Sequence, residues 1–138
     1  MSEGVVLSGA PAEFFAAARS VSLATVNAMG EPHVVPVSPV LDLDRVIVAS
    51  DADTVKVRNV LENPSVALSA DAYAEDWDRL RAVVVFGEAT VIDAGFEWER
   101  DRNLLYEKYP QYPQQAPIEE GVTVMLDVRI DRVVTWGF

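Results

Sequence analysis

Apolar and polar residues alternate along most of this chain with a period of two, the signature of half-buried strands. Val21-Ser-Leu-Ala-Thr-Val-Asn27 alternates cleanly and meets Ala28-Met29-Gly30-Glu31, a turn punctuated by glycine, so Pro32 to Leu41 reads as the return strand of a hairpin. Asp42-Leu43-Asp44 predicts a second turn, Arg45 to Ser50 a third strand and Ser65 to Asp71 a fourth. The fifth, Leu80 to Ile92, is almost wholly apolar up to Phe86. Gly87 then interrupts it, which predicts a bulge or sharp bend. The last strand, Val122 to about Trp136, sets Val122, Val124, Leu126, Val128 and Ile130 on one face. Thr123, Met125, Asp127, Arg129 and Asp131 fall on the other, and the pattern slips near Asp131-Arg132, predicting a bulge there.

Three stretches break the alternation with helical spacing. Pro11 to Arg19 predicts a short helix with Phe14 and Phe15 turned inward and Pro11 in its first turn. Asp53 to Asn63 predicts a second, capped by Asp53 or Thr54 and stopped by Pro64, whose ring pushes Asn63 out of helical geometry. Phe96 to Tyr109 predicts a third. Tyr109 to Pro117 holds three prolines in nine residues and predicts loop. Six strands with turn-type links and two to three short helices make the chain mainly β (α+β), a single domain over residues 1–138 built as a small antiparallel barrel.

Composition removes whole classes of chemistry. The chain has 138 residues, half of them hydrophobic, enough to bury roughly two thirds of its unfolded surface. A net charge of -11 argues against a nucleic-acid binder, which needs a basic face, and against an electrostatic membrane anchor. No apolar run is long enough for a membrane span, and Met1-Ser-Glu-Gly4 lacks the features of a secretion signal, so a cytoplasmic location is the default expectation. Without cysteine there are no disulfides, thiolate metal sites or cysteine nucleophiles. His33 is the only histidine, which excludes a zinc site of two or more histidines from one chain. No Walker loop, nucleophile elbow or dinucleotide glycine fingerprint is present. An enzyme of this composition takes its difficult chemistry from a bound cofactor.

The most informative residues are Lys56 and Arg58, in the first two turns of the second helix just after an apolar strand. Cations are disfavoured at a helix's positive end by a few tenths of a kcal/mol or more. An anion that the exposed backbone amides also attract gives a reason to place them there, and a phosphate-bearing ligand fits. The plainer alternative is two solvated cations on a short surface helix. Pro32, Pro36 and Pro39 predict that the second strand lies on an edge or breaks its pairing. Together with Ala24, Thr25, Ala49 and Ser50, read as lying on neighbouring strands, they describe a surface of small residues against which a flat ring can lie. Trp77 and Arg79 in the polar 71–81 segment suit a surface loop or a subunit contact, and Tyr109 and Tyr112 suit loop anchors or the same contact.

Taken in order, these features resemble the pyridoxamine-phosphate-oxidase-like split-barrel flavoproteins, and more narrowly the actinobacterial branch that uses the deazaflavin coenzyme F-420. The segments that carry the resemblance are the hairpin Leu23 to Val37, Lys56-Val-Arg58-Asn59 with Asn63-Pro64-Ser-Val-Ala-Leu68, Glu75 to Arg81, Gly87-Glu-Ala and Lys108 to Tyr112. It implies a six-stranded split barrel of the FMN-binding type and a homodimer with a cofactor site between subunits. It further implies hydride transfer between F-420 and a small electron-poor acceptor such as an enone or quinone. By position, Lys56, Arg58 and Asn59 would meet the phosphate and tail. Ala49 and Ser50 would approach the ribityl–phosphate portion, Thr25, Pro36 and Val37 the ring, and Trp77 would come from the other subunit. No catalytic residue is assigned; water, Tyr73 and His33 are equal candidates for the proton source. Two departures keep FMN open as the alternative cofactor: Thr54 stands where some relatives have a basic residue, and the chain is strongly acidic while F-420 carries a polyglutamate tail. A non-catalytic flavin or deazaflavin carrier and a cofactor-free dimeric scaffold are the readings outside enzymology.

Overall fold

The computed structural model describes residues 4–138. The elements run α1 (Gly9–Ala17), β1 (Val21–Val26), β2 (Pro32–Val37), β3 (Val40–Asp42), β4 (Arg45–Asp51), α2 (Val55–Glu62) and β5 (Ser65–Ala72). A 3-10 turn (Trp77–Arg79), β6 (Arg81–Ile92), α3 (Phe96–Lys108), α4 (Tyr112–Gln115) and β7 (Thr123–Trp136) complete the order. All seven strands join one sheet in the order β2-β1-β5-β6-β7-β4-β3, with every pairing antiparallel. The mainly-β expectation stands, while the described residues form seven strands rather than six.

The extra strand comes from the segment read as one return strand. It splits at Ser38-Pro39, because the Pro39 carbonyl is taken out of the ladder by Lys108 Nζ at 2.8 Å and Tyr109 Oη at 2.7 Å. β2 stays with β1, and β3 crosses to pair with β4. Among the described residues the helix count also rises, to four plus the 3-10 turn. The additional helix, α4, lies inside the proline-rich stretch expected to be loop, where Pro113 occupies the first turn and so breaks no helical hydrogen bond. β1 and β4 are not ladder neighbours, so Ala24 and Thr25 do not share a paired surface with Ala49 and Ser50. The partners of β4 are instead β3 and the C-terminal strand β7.

The two irregularities expected at Gly87 and Asp131 are one bulge seen from both strands. Phe86 pairs with Arg132 and Gly87 with Ile130, leaving Asp131 without an opposite residue. A Cβ at Gly87 would lie 2.0 Å from the Arg129 carbonyl oxygen, so no side chain fits there.

The sheet buries both faces where helices cover it. Val46 and Val48 of β4, and Val124, Leu126, Val128 and Ile130 of β7, join residues of β1, β5, β6, α1 and α2 in one apolar cluster, so the sheet curls around it. On the other face Ile47 and Met125 pack with Trp98, Leu105, Tyr109 and Ile118 beneath α3. This is why β7 is buried on both faces from Thr123 to Val128 although its residues alternate in polarity. Among the described residues no helix is long and apolar enough to cross a membrane.

Candidate functional site

α2 begins at Thr54, whose backbone is extended and whose side chain makes no capping bond to the helix. Its hydroxyl turns back, donating to the Asp51 carbonyl at 3.2 Å and lying 3.0 Å from Ser50 Oγ. Asp53, the other expected cap, accepts from Arg58 Nη1 at 2.9 Å. The first-turn amides of α2 thus receive no acceptor from the capping side chain, which leaves them for a ligand or for water.

The same corner opens into a cleft of about 460 Å³. Ala49, Ser50, Thr54 and Lys56 form one side, and Tyr112 and the Ala116 to Glu119 segment form the other. Lys56 has no carboxylate partner among the described residues. Asp51 and Glu119 also line the cleft, so its charge is mixed. Tyr112 presents a phenol whose pKa is raised by burial, so it is a protonated hydrogen-bond donor at neutral pH. An uncapped helix start and one available ammonium suit a phosphate-sized anion, with the amides supplying direction and Lys56 charge, while the Ser50 and Thr54 hydroxyls are turned to the Asp51 carbonyl.

The structure brings Ala49, Ser50 and Lys56 together in that cleft and places the other expected residues elsewhere. Thr25 and Asn59 are both buried and bonded to each other, Asn59 Nδ2 donating to Thr25 Oγ1 at 3.0 Å, so they tie the inward face of α2 to β1. Arg58 is exposed and paired with Asp53. Pro36 and Val37 lie on β2 opposite Ser22 and Val21; Pro36 is exposed, and Val37 packs partly against the inner core. Trp77 is 73% exposed on the 3-10 turn, its Nε1 donating to Tyr73 Oη at 3.3 Å. His33 sits opposite Thr25 across the hairpin with Nδ1 buried and without a partner among the described residues.

The second wall of the cleft was not visible from the chain alone. It is held by the end of α3: Lys108 Nζ donates to the Ala18 carbonyl at 2.7 Å, Tyr109 Oη reaches Arg19 O at 3.3 Å, and both grip Pro39. Burial, reinforced by Arg19, lowers the Lys108 pKa to about 8. Burial pushes Tyr109 up to about 12. The one available signal was the Lys-Tyr-Pro run itself. Among the described residues no group of three or more histidine, aspartate or glutamate side chains is placed to hold a metal ion.

Comparison with known proteins agrees with this architecture. The family model described as pyridoxamine 5'-phosphate oxidase matches residues 7–137. A 5a,11a-dehydrotetracycline/5a,11a-dehydrooxytetracycline reductase from Streptomyces rimosus subsp. rimosus is 32% identical over 120 residues, covering 83% of this chain and 72% of the reductase. A conserved hypothetical protein from Mycobacterium tuberculosis superposes with a TM-score of 0.77 at 21% identity, over 99% of this chain and 89% of that one. A structure described as an F420 reductase gives a TM-score of 0.72 at 19% identity, over 93% and 98%. At these identities the two structural likenesses show the shared fold.

Proposed function

The chain belongs to the pyridoxamine 5'-phosphate oxidase family, and from that premise we propose that it is an oxidoreductase binding a phosphate-bearing deazaflavin, coenzyme F-420, to reduce a small electron-poor acceptor such as an enone or quinone. The observation that carries this reading is the cleft where Lys56, Ser50 and Thr54 meet the uncapped start of α2. Bound there, the cofactor supplies hydride transfer to the acceptor.

The chain's own residues bind, orient and shield. The first-turn amides of α2 and the Lys56 ammonium hold the phosphate. Ser50 and Thr54 fix the corner beside it through the Asp51 carbonyl, and the Tyr112 to Glu119 wall limits water on the opposite side. The Streptomyces relative, itself a reductase, supports reduction as the direction of the chemistry. A second copy of the chain would complete the ring site, with exposed Trp77 as its contribution. One observation favours FMN as the second reading: Asp51 and Glu119 share the cleft with Lys56, a balance better suited to a single phosphate than to a polyacidic tail.

Side-by-side tryptophan-quenching titrations with F-420 and FMN test the assignment. Saturable quenching by F-420, weakened in Lys56→Ala, is the expected result, followed by oxidation of the reduced coenzyme over a panel of enones and quinones. Binding of FMN alone moves the cofactor assignment to flavin. Binding without turnover points to a carrier, and no binding of either cofactor defeats the proposal.

A further inference from the structure

The densest buried charge lies away from the cleft's lining, where α3 crosses β4 and β7. Asp101 of α3 is 0% exposed and Asp127 of β7 only 8%. Arg45 of β4 reaches both through Nη1, Asp127 Oδ2 at 2.5 Å and Asp101 Oδ1 at 3.4 Å, while its Nη2 donates to Asp42 of β3 at 2.6 Å. Arg100 of α3 adds bonds to Asp101 Oδ1 at 3.2 Å and Asp127 Oδ2 at 3.4 Å. Opposite Asp127 on β6 stands the uncharged Thr90, and Arg129, two residues along β7, is engaged by Glu88 and Asp131. Three carboxylates therefore face two guanidiniums.

This arrangement leaves one negative charge in excess and one orphan. Both guanidiniums serve Oδ1 of Asp101, and its Oδ2 is buried with no hydrogen-bond partner among the described residues. The Asp127 and Asp101 carboxyls are neighbours, since the single Arg45 Nη1 lies 2.5 Å from Asp127 Oδ2 and 3.4 Å from Asp101 Oδ1 and Arg100 also reaches both. A proton on Asp127 turns that carboxyl into the missing donor and removes the excess charge in one step. We propose that Asp101 and Asp127 share one proton, and that this proton latches α3 onto the sheet. Burial, aided by Asp101, pushes the Asp127 carboxyl up to about 7 against the opposing pull of Arg45 and Arg100.

The latch reaches beyond its own corner. α3 also carries Trp98, whose Nε1 donates to the Thr123 carbonyl at 3.0 Å, and it leads through Tyr109 into the wall that holds Tyr112 and Ile118. Losing the proton restores an uncompensated buried charge beneath the helix, which loosens α3 and with it that wall.

An acid whose pKa is raised by folding contributes stability that is complete below the ordinary carboxyl range near 4 and is lost as pH rises through about 7. Urea unfolding of the full chain at pH 5.5 and 7.5 reads this directly. The wild-type unfolding constant should rise about tenfold more over that interval than that of Asp127→Asn, whose amide offers a permanent donor. Equal pH dependence in the two proteins overturns the proposal. If the variant does not fold, amide exchange of the wild type decides, after correction for the intrinsic pH effect. Protection of α3 should fall between pH 5.5 and 7.5 while β5 keeps its own, and parallel changes in the two elements overturn the latch.

Discussion

α2 and α3 handle positive charge in opposite ways. Beneath α3, Arg45 and Arg100 are committed to buried carboxylates and serve to hold the helix on the sheet. At the start of α2, Lys56 has no carboxylate partner among the described residues and lines an open cleft, while the buried contact of that helix is the neutral Asn59–Thr25 pair. Charge that must stabilise the fold is surrounded by its partners before any ligand arrives. Charge that must meet a ligand is left beside amides that also lack an acceptor, and a neutral hydrogen bond takes over the structural work nearby.

Breaking the α3 side should give the largest effect. Arg45→Ala leaves Asp101 and Asp127 with Arg100 alone and Asp42 without its cation, and removing one partner of a buried ionic set costs about 3–5 kcal/mol. Urea unfolding at pH 7 should show a loss of that size, and part of it should return at pH 5.5 as the carboxylates take up protons. A loss below about 1 kcal/mol at pH 7 would mean that the cluster is hydrated and does not anchor the helix.

The α2 side should respond in binding rather than in stability. Lys56→Ala should weaken cofactor binding by about 1.5–3 kcal/mol, the range for a charge-assisted hydrogen bond. Its folding stability should stay level or rise by a few tenths of a kcal/mol, because a cation leaves the positive end of a helix. Titration and unfolding of the same preparation separate the two. A variant that binds normally and unfolds early would reverse the comparison.

Much of this contrast is visible in the residues themselves, and the missing part has a physical reason. Alternation marks β1, β5 and β7, and Gly87 with Asp131 marks the bulge, because each depends on local backbone geometry. Lys56 stands out because its charge opposes the helix dipole. The split between β2 and β3 does not, since Lys108 and Tyr109, which claim the Pro39 carbonyl, lie 69 and 70 residues away. Asp127 falls on the polar face of an alternating strand and so reads as solvated. Only the docking of α3, a helix rich in charged residues, turns that face into an interior. Site residues are legible where they disturb local rules, and hidden where a distant element covers them.

The neutral link in α2 sharpens the contrast at smaller scale. Asn59→Ala leaves the Thr25 hydroxyl buried without its partner and should cost about 1–3 kcal/mol. A double-mutant cycle with Thr25→Val should return a coupling of about 1 kcal/mol, since removing both polar groups also removes the orphan. Additive losses would show that the 3.0 Å contact contributes nothing and that Asn59 is kept for another purpose.

Arg58 should give the smallest effect, and it tests whether position alone makes a ligand residue. It sits two residues after Lys56, but its side chain is 57% exposed and bound to Asp53, which is itself almost fully exposed. Such a pair adds about 0–1 kcal/mol to stability, and a cation already compensated by a neighbour has less to offer an incoming anion. Arg58→Ala should therefore change cofactor affinity by less than about 1 kcal/mol, and the double variant with Lys56→Ala should lose little more than Lys56→Ala alone. An Arg58 effect equal to that of Lys56 would mean that the ligand displaces Asp53 and recruits the guanidinium. Asp53→Asn should then strengthen binding, and the same titration would register the gain.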